Sequence, residues 1–321
     1  MIPPLGRRSR LDGGIRSRAT GLVALVALIA LATAACGAGS PSGDVPAGTL
    51  RVVTTTTILA DLVAQVGGQR VRVDSLVPRG GEVHTFDPTP SDVRRVAEAD
   101  IVFVNGLGLD GWLGNLVTDA GTDAPVVKLG EHLPGVTYLA GDGQDQTAVN
   151  PHLWLNAAYA ARYAERIGES LAEVDPANAA AYRDQAAAYG RTLADLDGEL
   201  RSKMEAIPLS DRTVLSFHDA FPYFAAAYGL TIDGTIVDAP GQDPSAAQIA
   251  ALVRVVREEG IKAIFGEAQF SEGLARTIAD ETGATVVSGL YTDSTGDAPQ
   301  DTYAGLMRWN VDRVAEVLAA P

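Results

Sequence analysis

A single cysteine, Cys36, stands in the whole chain, so no intrachain disulfide can form and the fold must rest on its core. Histidine is almost as scarce, with four in 321 residues. There is no His-Glu-x-x-His and no other short-range pair of histidines, which takes away the usual signature of a zinc hydrolase. No repeat of short period is present, which argues against a solenoid. Basic side chains are also in short supply, 25 against 40 acidic ones, for a net charge of −15. That balance argues against nucleic acid as a partner and suits a protein that attracts cations.

What is present begins with an export signal. Arg7, Arg8, Arg10, Arg16 and Arg18 form a basic n-region, and the apolar run from Gly21 to Ala32 is too short to span a bilayer comfortably. It ends at Thr33-Ala34-Ala35-Cys36, which resembles the lipobox of bacterial lipoproteins, with Thr33 where Leu is usual. The resemblance implies that Cys36 is lipidated and becomes the new N-terminus. Arg7-Arg8 followed by Ser9-Arg10-Leu11 fits a twin-arginine signal poorly. Residues 1–35 are therefore read as a lipoprotein signal and 36–48, rich in Gly, Ser, Pro and Ala, as a flexible tether. Losing the signal's five Arg and one Asp takes the formal charge from −15 to −19.

From Leu50 short β-branched runs alternate with amphipathic segments. Strands are expected at Leu50 to Thr54, Val71 to Val77, Ile101 to Asn105 and Ala124 to Lys128, with helices at Ile58 to Val66, Pro90 to Ala99 and Gly111 to Ala120. After a helix from Asn156 to Val174 and a longer one, the alternation returns. Strands are then expected at Arg212 to Phe217, Thr231 to Val237, Ile261 to Phe265 and Ala284 to Ser288. Helices are expected at Ala220 to Tyr228, Ser245 to Glu259, Ser271 to Glu281 and Tyr303 to Ala319. This pattern predicts an α/β protein with two mostly parallel sheets, each covered on both faces. Between them, Tyr182, Ala186, Tyr189, Leu193, Leu196, Leu200, Met204 and Ile207 trace one apolar stripe at helical spacing. Asp175-Pro176 supplies a start signal and Ile207-Pro208 a stop. Domain limits follow as 49–174 for a first lobe, 175–207 for a linking helix and 208–321 for a second lobe.

The four histidines are the most informative residues. His84 lies in a Gly- and Pro-rich loop after a predicted strand, His152 in a polar loop before a helix, and His218 directly after a strand, with Asp219 placed to cap the helix that follows. Ligands in open α/β sheets bind outside the carboxyl ends of strands, which is where His84 and His218 fall from opposite lobes. His132, in Gly-Glu-His-Leu-Pro, lacks such a setting and is expected at the surface.

Taken together, the lipobox, the Pro-x-Gly-x-x-x-His-x-Phe-x-Pro loop, Asn-Pro-His-x-Trp, the long helix, Phe-His-Asp-Ala-Phe-x-Tyr-Phe, Phe-Gly-Glu-Ala-Gln-Phe and Tyr-Thr-Asp resemble the zinc and manganese substrate-binding lipoproteins of ABC importers. The resemblance implies two lobes clasping one bare ion, with His84 and His152 from the first lobe and His218 and Asp293 from the second as ligands. It implies further an ABC permease with its cytoplasmic ATPase as partner, a lipid anchor on the extracytoplasmic face, a monomer, and no enzymatic activity. Glu267 matches a glutamate common in the family and is read as a hydrogen-bonded carboxylate behind the site. Glu82, two residues before His84, has no role that the sequence assigns. The segment from Leu139 to Val149 carries Asp142 and Asp145 but none of the histidines of the long loop found in some zinc members.

Three imidazoles and one carboxylate favour Zn²⁺, which accepts four such donors tetrahedrally, over Mn²⁺, which prefers more oxygen; Mn²⁺ is the alternative cargo. A secreted zinc hydrolase is the rival from another class. It is disfavoured because catalytic zinc keeps a position open for water, whereas four protein donors fill the shell. A binder of siderophore, haem or cobalamin would need an aromatic or Arg-lined cleft instead of convergent metal donors. Nothing in the residues argues for an adhesin. Cys36→Ala is expected to abolish labelling by a radiolabelled fatty acid and leave the precursor uncleaved; unchanged labelling would end the lipoprotein reading.

Overall fold

The computed structural model describes Met1 and residues 48–141, 148–237 and 239–319. Cys36, the signal segment apart from Met1, and the tether up to residue 47 lie outside the described residues, as do Asp142 and Asp145. Strands β1 (Leu50–Thr54), β2 (Val71–Ser75), β3 (Ile101–Val104) and β4 (Val126–Lys128) form a parallel sheet in the order β2-β1-β3-β4. A second parallel sheet repeats that plan with β5 (Thr213–Ser216), β6 (Thr231–Thr235), β7 (Ala263–Glu267) and β8 (Thr285–Leu290) in the order β6-β5-β7-β8.

Strand side chains alternate between two cores. Val52, Ile101 and Phe103 face one apolar cluster, while Val53, Val102 and Val104 face another. Each sheet is thus buried on both faces, as parallel sheets require. On the inner face of the first sheet lie α1 (Thr57–Gly67) and α4 (Ala157–Val174); α2 (Pro90–Ala97) and α3 (Leu113–Ala120) cover the outer face. In the second lobe α6 (Pro222–Tyr228) and α9 (Tyr303–Leu318) lie inward, and α7 (Ala246–Glu259) and α8 (Gly273–Thr282) outward. Local chemistry fixes several helix starts. Thr89 with Asp92 and Ser245 with Gln248 form capping boxes, and the Asn156 side chain accepts from the first free N–H groups of α4.

The linking helix α5 (Ala179–Glu205) is preceded by a 3₁₀ turn, Pro176–Asn178, so the α-helix proper starts later than the Asp-Pro signal suggests. Asp175 Oδ2 accepts from Asn178 Nδ2 at 2.6 Å and from the Tyr182 hydroxyl at 2.9 Å, which ties down this tighter first turn. At ~1.5 Å per residue the α-helical part is a rod of roughly 40 Å. Its apolar stripe, Tyr182, Ala186, Leu193, Leu196, Leu200 and Met204, is buried in the same cluster as Phe103 of one sheet and Phe265 of the other. The two lobes and the rod therefore share one continuous core.

Gly168 of α4 shows how closely the two long helices approach: a Cβ there would meet Ala186 Cβ at 2.7 Å and the Tyr182 carbonyl at 3.2 Å. Gly190 of α5 faces open space. Gly168→Leu is expected to destabilise the fold by about 1–3 kcal/mol through overpacking, whereas Gly190→Ala should stabilise it by up to ~1 kcal/mol. Urea unfolding of both variants checks this; equal effects would contradict the packing described.

Candidate metal centre

Every residue of the centre sits in a segment beyond the carboxyl end of a strand. His84 follows β2, and its backbone N–H donates to Glu82 Oε1 at 2.7 Å. Trp112 Nε1 donates to the Val83 carbonyl at 2.9 Å and holds that loop in place. His152 lies between β4 and α4, its N–H donating to Asn150 Oδ1 at 3.0 Å. His218 follows β5, and Ser216 Oγ donates to its carbonyl at 2.6 Å. Asp293 follows β8 in a stretch, Thr292 to Thr295, that is buried throughout.

These four side chains, far apart in sequence, converge: one donor atom from each lies within 4.8 Å of all the others. His152 Nε2 is 3.4 Å from both His84 Nε2 and His218 Nε2. Asp293 Oδ1 is 3.6 Å from His152 Nε2, and Oδ2 is 4.0 Å from His84 Nε2 and 3.9 Å from His218 Nε2. Only His84 is partly open, its side chain 21% exposed, at the floor of a groove bordered by Leu107, Leu109, Pro151 and Pro240. His132, by contrast, is exposed and remote from the cluster, as expected.

Partners behind the ligating atoms set the ring tautomers. His218 Nδ1 bonds Glu267 Oε1 at 2.7 Å and His152 Nδ1 bonds Asn150 Oδ1 at 3.0 Å; with the Nδ1 atoms donating, both Nε2 atoms point lone pairs inward. Glu267 is thus a hydrogen-bonded carboxylate behind the site, also held by Thr292 Oγ1 at 2.5 Å and Gln269 Nε2 at 3.2 Å. Gln269 Nε2 donates to Asp293 Oδ2 at 3.0 Å as well. Asp219 does not cap the next helix, because α6 begins at Pro222; its carboxylate and carbonyl accept from Asn150 Nδ2 at 2.8 and 2.7 Å and tie the lobes together. The sequence singled out neither Asn150 nor Gln269 individually. Their only trace is membership of the Asn-Pro-His-x-Trp and Phe-Gly-Glu-Ala-Gln-Phe stretches.

Burial, reinforced by the charge on His218, drives His84 down to about 3, and burial likewise holds His152 well below the usual histidine value. Burial also works against a charged His218, but Glu267, through its charge and its hydrogen bond, outweighs it together with Asp293 and Glu82 and pushes His218 up to about 9. Asp293 rises to about 8 through burial and the charges of Glu82 and Glu267, partly opposed by His218. Three imidazole lone pairs cannot share so small a space without a cation or a proton among them. A dication fits both demands, since it pairs with the carboxylate and accepts the lone pairs.

Two parallel α/β lobes on one linking helix, with buried nitrogen and oxygen donors from both lobes converging between them, define the class of two-lobed metal-binding transport proteins. Residues 52–317 match the family described as zinc-uptake complex component A, periplasmic. The chain belongs to this family, whose members are substrate-binding components of ABC importers working with a permease and an ATPase, and not enzymes. It is 32% identical to the manganese-binding lipoprotein MntA of Halalkalibacterium halodurans, over 90% of this chain and 95% of that one. It is 29% identical to the manganese ABC transporter substrate-binding lipoprotein PsaA of Streptococcus pneumoniae, over 92% and 97% of the two chains. Among solved structures, the periplasmic zinc-binding protein TroA of Treponema pallidum superposes with a TM-score of 0.78 at 26% identity, covering 85% of this chain and all of that one. Among the described residues no helix is long and apolar enough to cross a membrane.

The proton balance yields a prediction. His84 and His152 offer free lone pairs near neutral pH, whereas the raised proton affinities of His218 and Asp293 make protons compete with the cation there. Apparent affinity should therefore rise with pH up to about 9, where His218 loses its proton, and not level off at the ordinary histidine value of ~6.5. Calorimetry at pH 7 in buffers of different ionisation enthalpy should register proton release on binding. Binding without proton release would contradict the assignment.

Proposed function

We propose that this chain captures Zn²⁺ outside the cytoplasm, holds it between its lobes through His84, His152, His218 and Asp293, and hands it to a membrane permease. The observation that carries the reading is the 3.4 Å spacing of His152 Nε2 from both His84 Nε2 and His218 Nε2. Ligands ~2.0–2.1 Å from a tetrahedral zinc ion stand about 3.3–3.4 Å apart along each edge, which these two edges already match. The Irving–Williams order points the same way, since a given site binds Zn²⁺ more tightly than Mn²⁺.

Mn²⁺ is the second reading, and one geometric observation favours it. Both oxygens of Asp293 face imidazoles, at the wider separations of 3.6–4.0 Å, which suits a carboxylate that binds through both oxygens and a larger coordination number. The names of the relatives MntA and PsaA, which specify manganese, support it as well. In either case Cys36 carries the lipid anchor, residues 36–48 form the tether, and the lobes span 49–174 and 208–321 around the linking segment of 175–207.

His218→Glu decides how the donor set selects. Exchanging an imidazole for charged oxygen should narrow the ratio of Mn²⁺ to Zn²⁺ dissociation constants, measured by chelator competition at one pH. Alanine at His84, His152 or His218 should weaken binding of both ions at least tenfold. A parent that already prefers Mn²⁺ would reverse the choice of cargo; two alanine variants that bind like the parent would remove the site.

A further inference from the structure

Two carboxylate oxygens around this centre are buried with no hydrogen-bond partner: Asp293 Oδ1 and Glu82 Oε2. A buried carboxylate oxygen without a partner is costly, so each calls for an explanation. For Asp293 the cation supplies it. For Glu82 the four-ligand set supplies none. The other buried oxygens in this condition, Gln185 Oε1 and Asp197 Oδ1, belong to α5 and have no ligating cluster around them.

Glu82 is held by one oxygen only. Its Oε1 accepts from the backbone N–H of His84, which fixes the carboxylate beside the imidazole that faces the groove. Burial raises its proton affinity, and the charges of His218 and Glu267 act on it across the site. Yet it stands outside the group of donors that lie within 4.8 Å of one another. It is therefore not a direct ligand alongside the four. An ion that takes more than the four donors of His84, His152, His218 and Asp293 would receive the further one from the least enclosed side, that of His84, whose side chain is 21% exposed.

We propose that Glu82 accepts, through Oε2, a hydrogen bond from a water molecule bound to the captured cation, and so sets how well the site holds an ion that wants more than four donors. This rests on the metal-binding reading above and deepens it. The bond is charge-assisted and adds an oxygen donor to an otherwise nitrogen-rich set. It stabilises Mn²⁺, which needs the extra oxygen, more than Zn²⁺, which is satisfied by four ligands. Glu82 is thus a specificity-determining residue acting through water.

Glu82→Gln is the informative variant, because its amide oxygen still accepts from the His84 N–H while its NH₂ group cannot accept from water. Loss of an outer partner of this kind costs roughly 10–100-fold in metal affinity. Mn²⁺ binding by Glu82→Gln should therefore weaken by about tenfold or more, and Zn²⁺ binding by clearly less. With Co²⁺ as a spectroscopic probe, the parent should give the weak visible absorption of a five-coordinate ion, and Glu82→Gln or Glu82→Ala the intense absorption of a tetrahedral one. Equal losses for Mn²⁺ and Zn²⁺ with an unchanged Co²⁺ spectrum would mean that Glu82 only shapes the loop, and would overturn the proposal. So would a tetrahedral Co²⁺ spectrum in the parent. A parent that binds none of the three ions would fail the metal-binding reading itself, a separate result.

Discussion

The mutual approach of three imidazole nitrogens and a carboxylate in a place nearly closed to water is the constraint on which the rest of the structure depends. Such a cluster is unfavourable as a set of bare lone pairs and favourable around a cation. The surrounding chain is built to keep it assembled. Glu267 and Asn150 fix the rings of His218 and His152 from behind, and Gln269 links Glu267 to Asp293. The acidic partners also raise the proton affinity of His218, so protons compete with metal for the cluster.

The second constraint is how the lobes are held. Trp154 Nε1 donates to the Thr292 carbonyl at 2.7 Å, directly before Asp293, and the Tyr303 hydroxyl donates to the Trp154 carbonyl at 2.7 Å. Gly80 N donates to Ser294 Oγ at 3.0 Å, Thr295 N to Thr57 Oγ1 at 2.8 Å, and Tyr303 N to Asp61 Oδ2 at 2.8 Å. Asp293 belongs to the second lobe by chain order, yet its loop is anchored on both, since Gln269 and Glu267 hold Asp293 and Thr292 from the second. The shared core along α5 adds to this. A molecule so joined favours small, local rearrangements over wide hinge opening.

Much of this was legible in the sequence, for identifiable reasons. β1 was read to the residue because Leu50 to Thr54 is a β-branched run bounded by a turn, and the other strands were placed within a few residues. The stripe on α5 was visible because tertiary burial follows helical periodicity there. Asp219 was misjudged, since an Asp after a strand reads as a cap and only the tertiary fold brings Asn150 to it. The four clustered residues lie up to 209 positions apart (His84 to Asp293), so no local pattern joins them, and only the resemblance to a family did so. Glu82 was left without a role because an unpartnered buried oxygen has no signature in sequence.

The central claim, that one dication is held by imidazoles from both lobes, is tested most directly by X-ray absorption at the metal edge of the Zn²⁺-loaded protein with one ion per chain. The account predicts three imidazole scatterers at ~2.0–2.1 Å with the remaining donors oxygen. A shell made mostly of oxygen, with one imidazole or none, would contradict it.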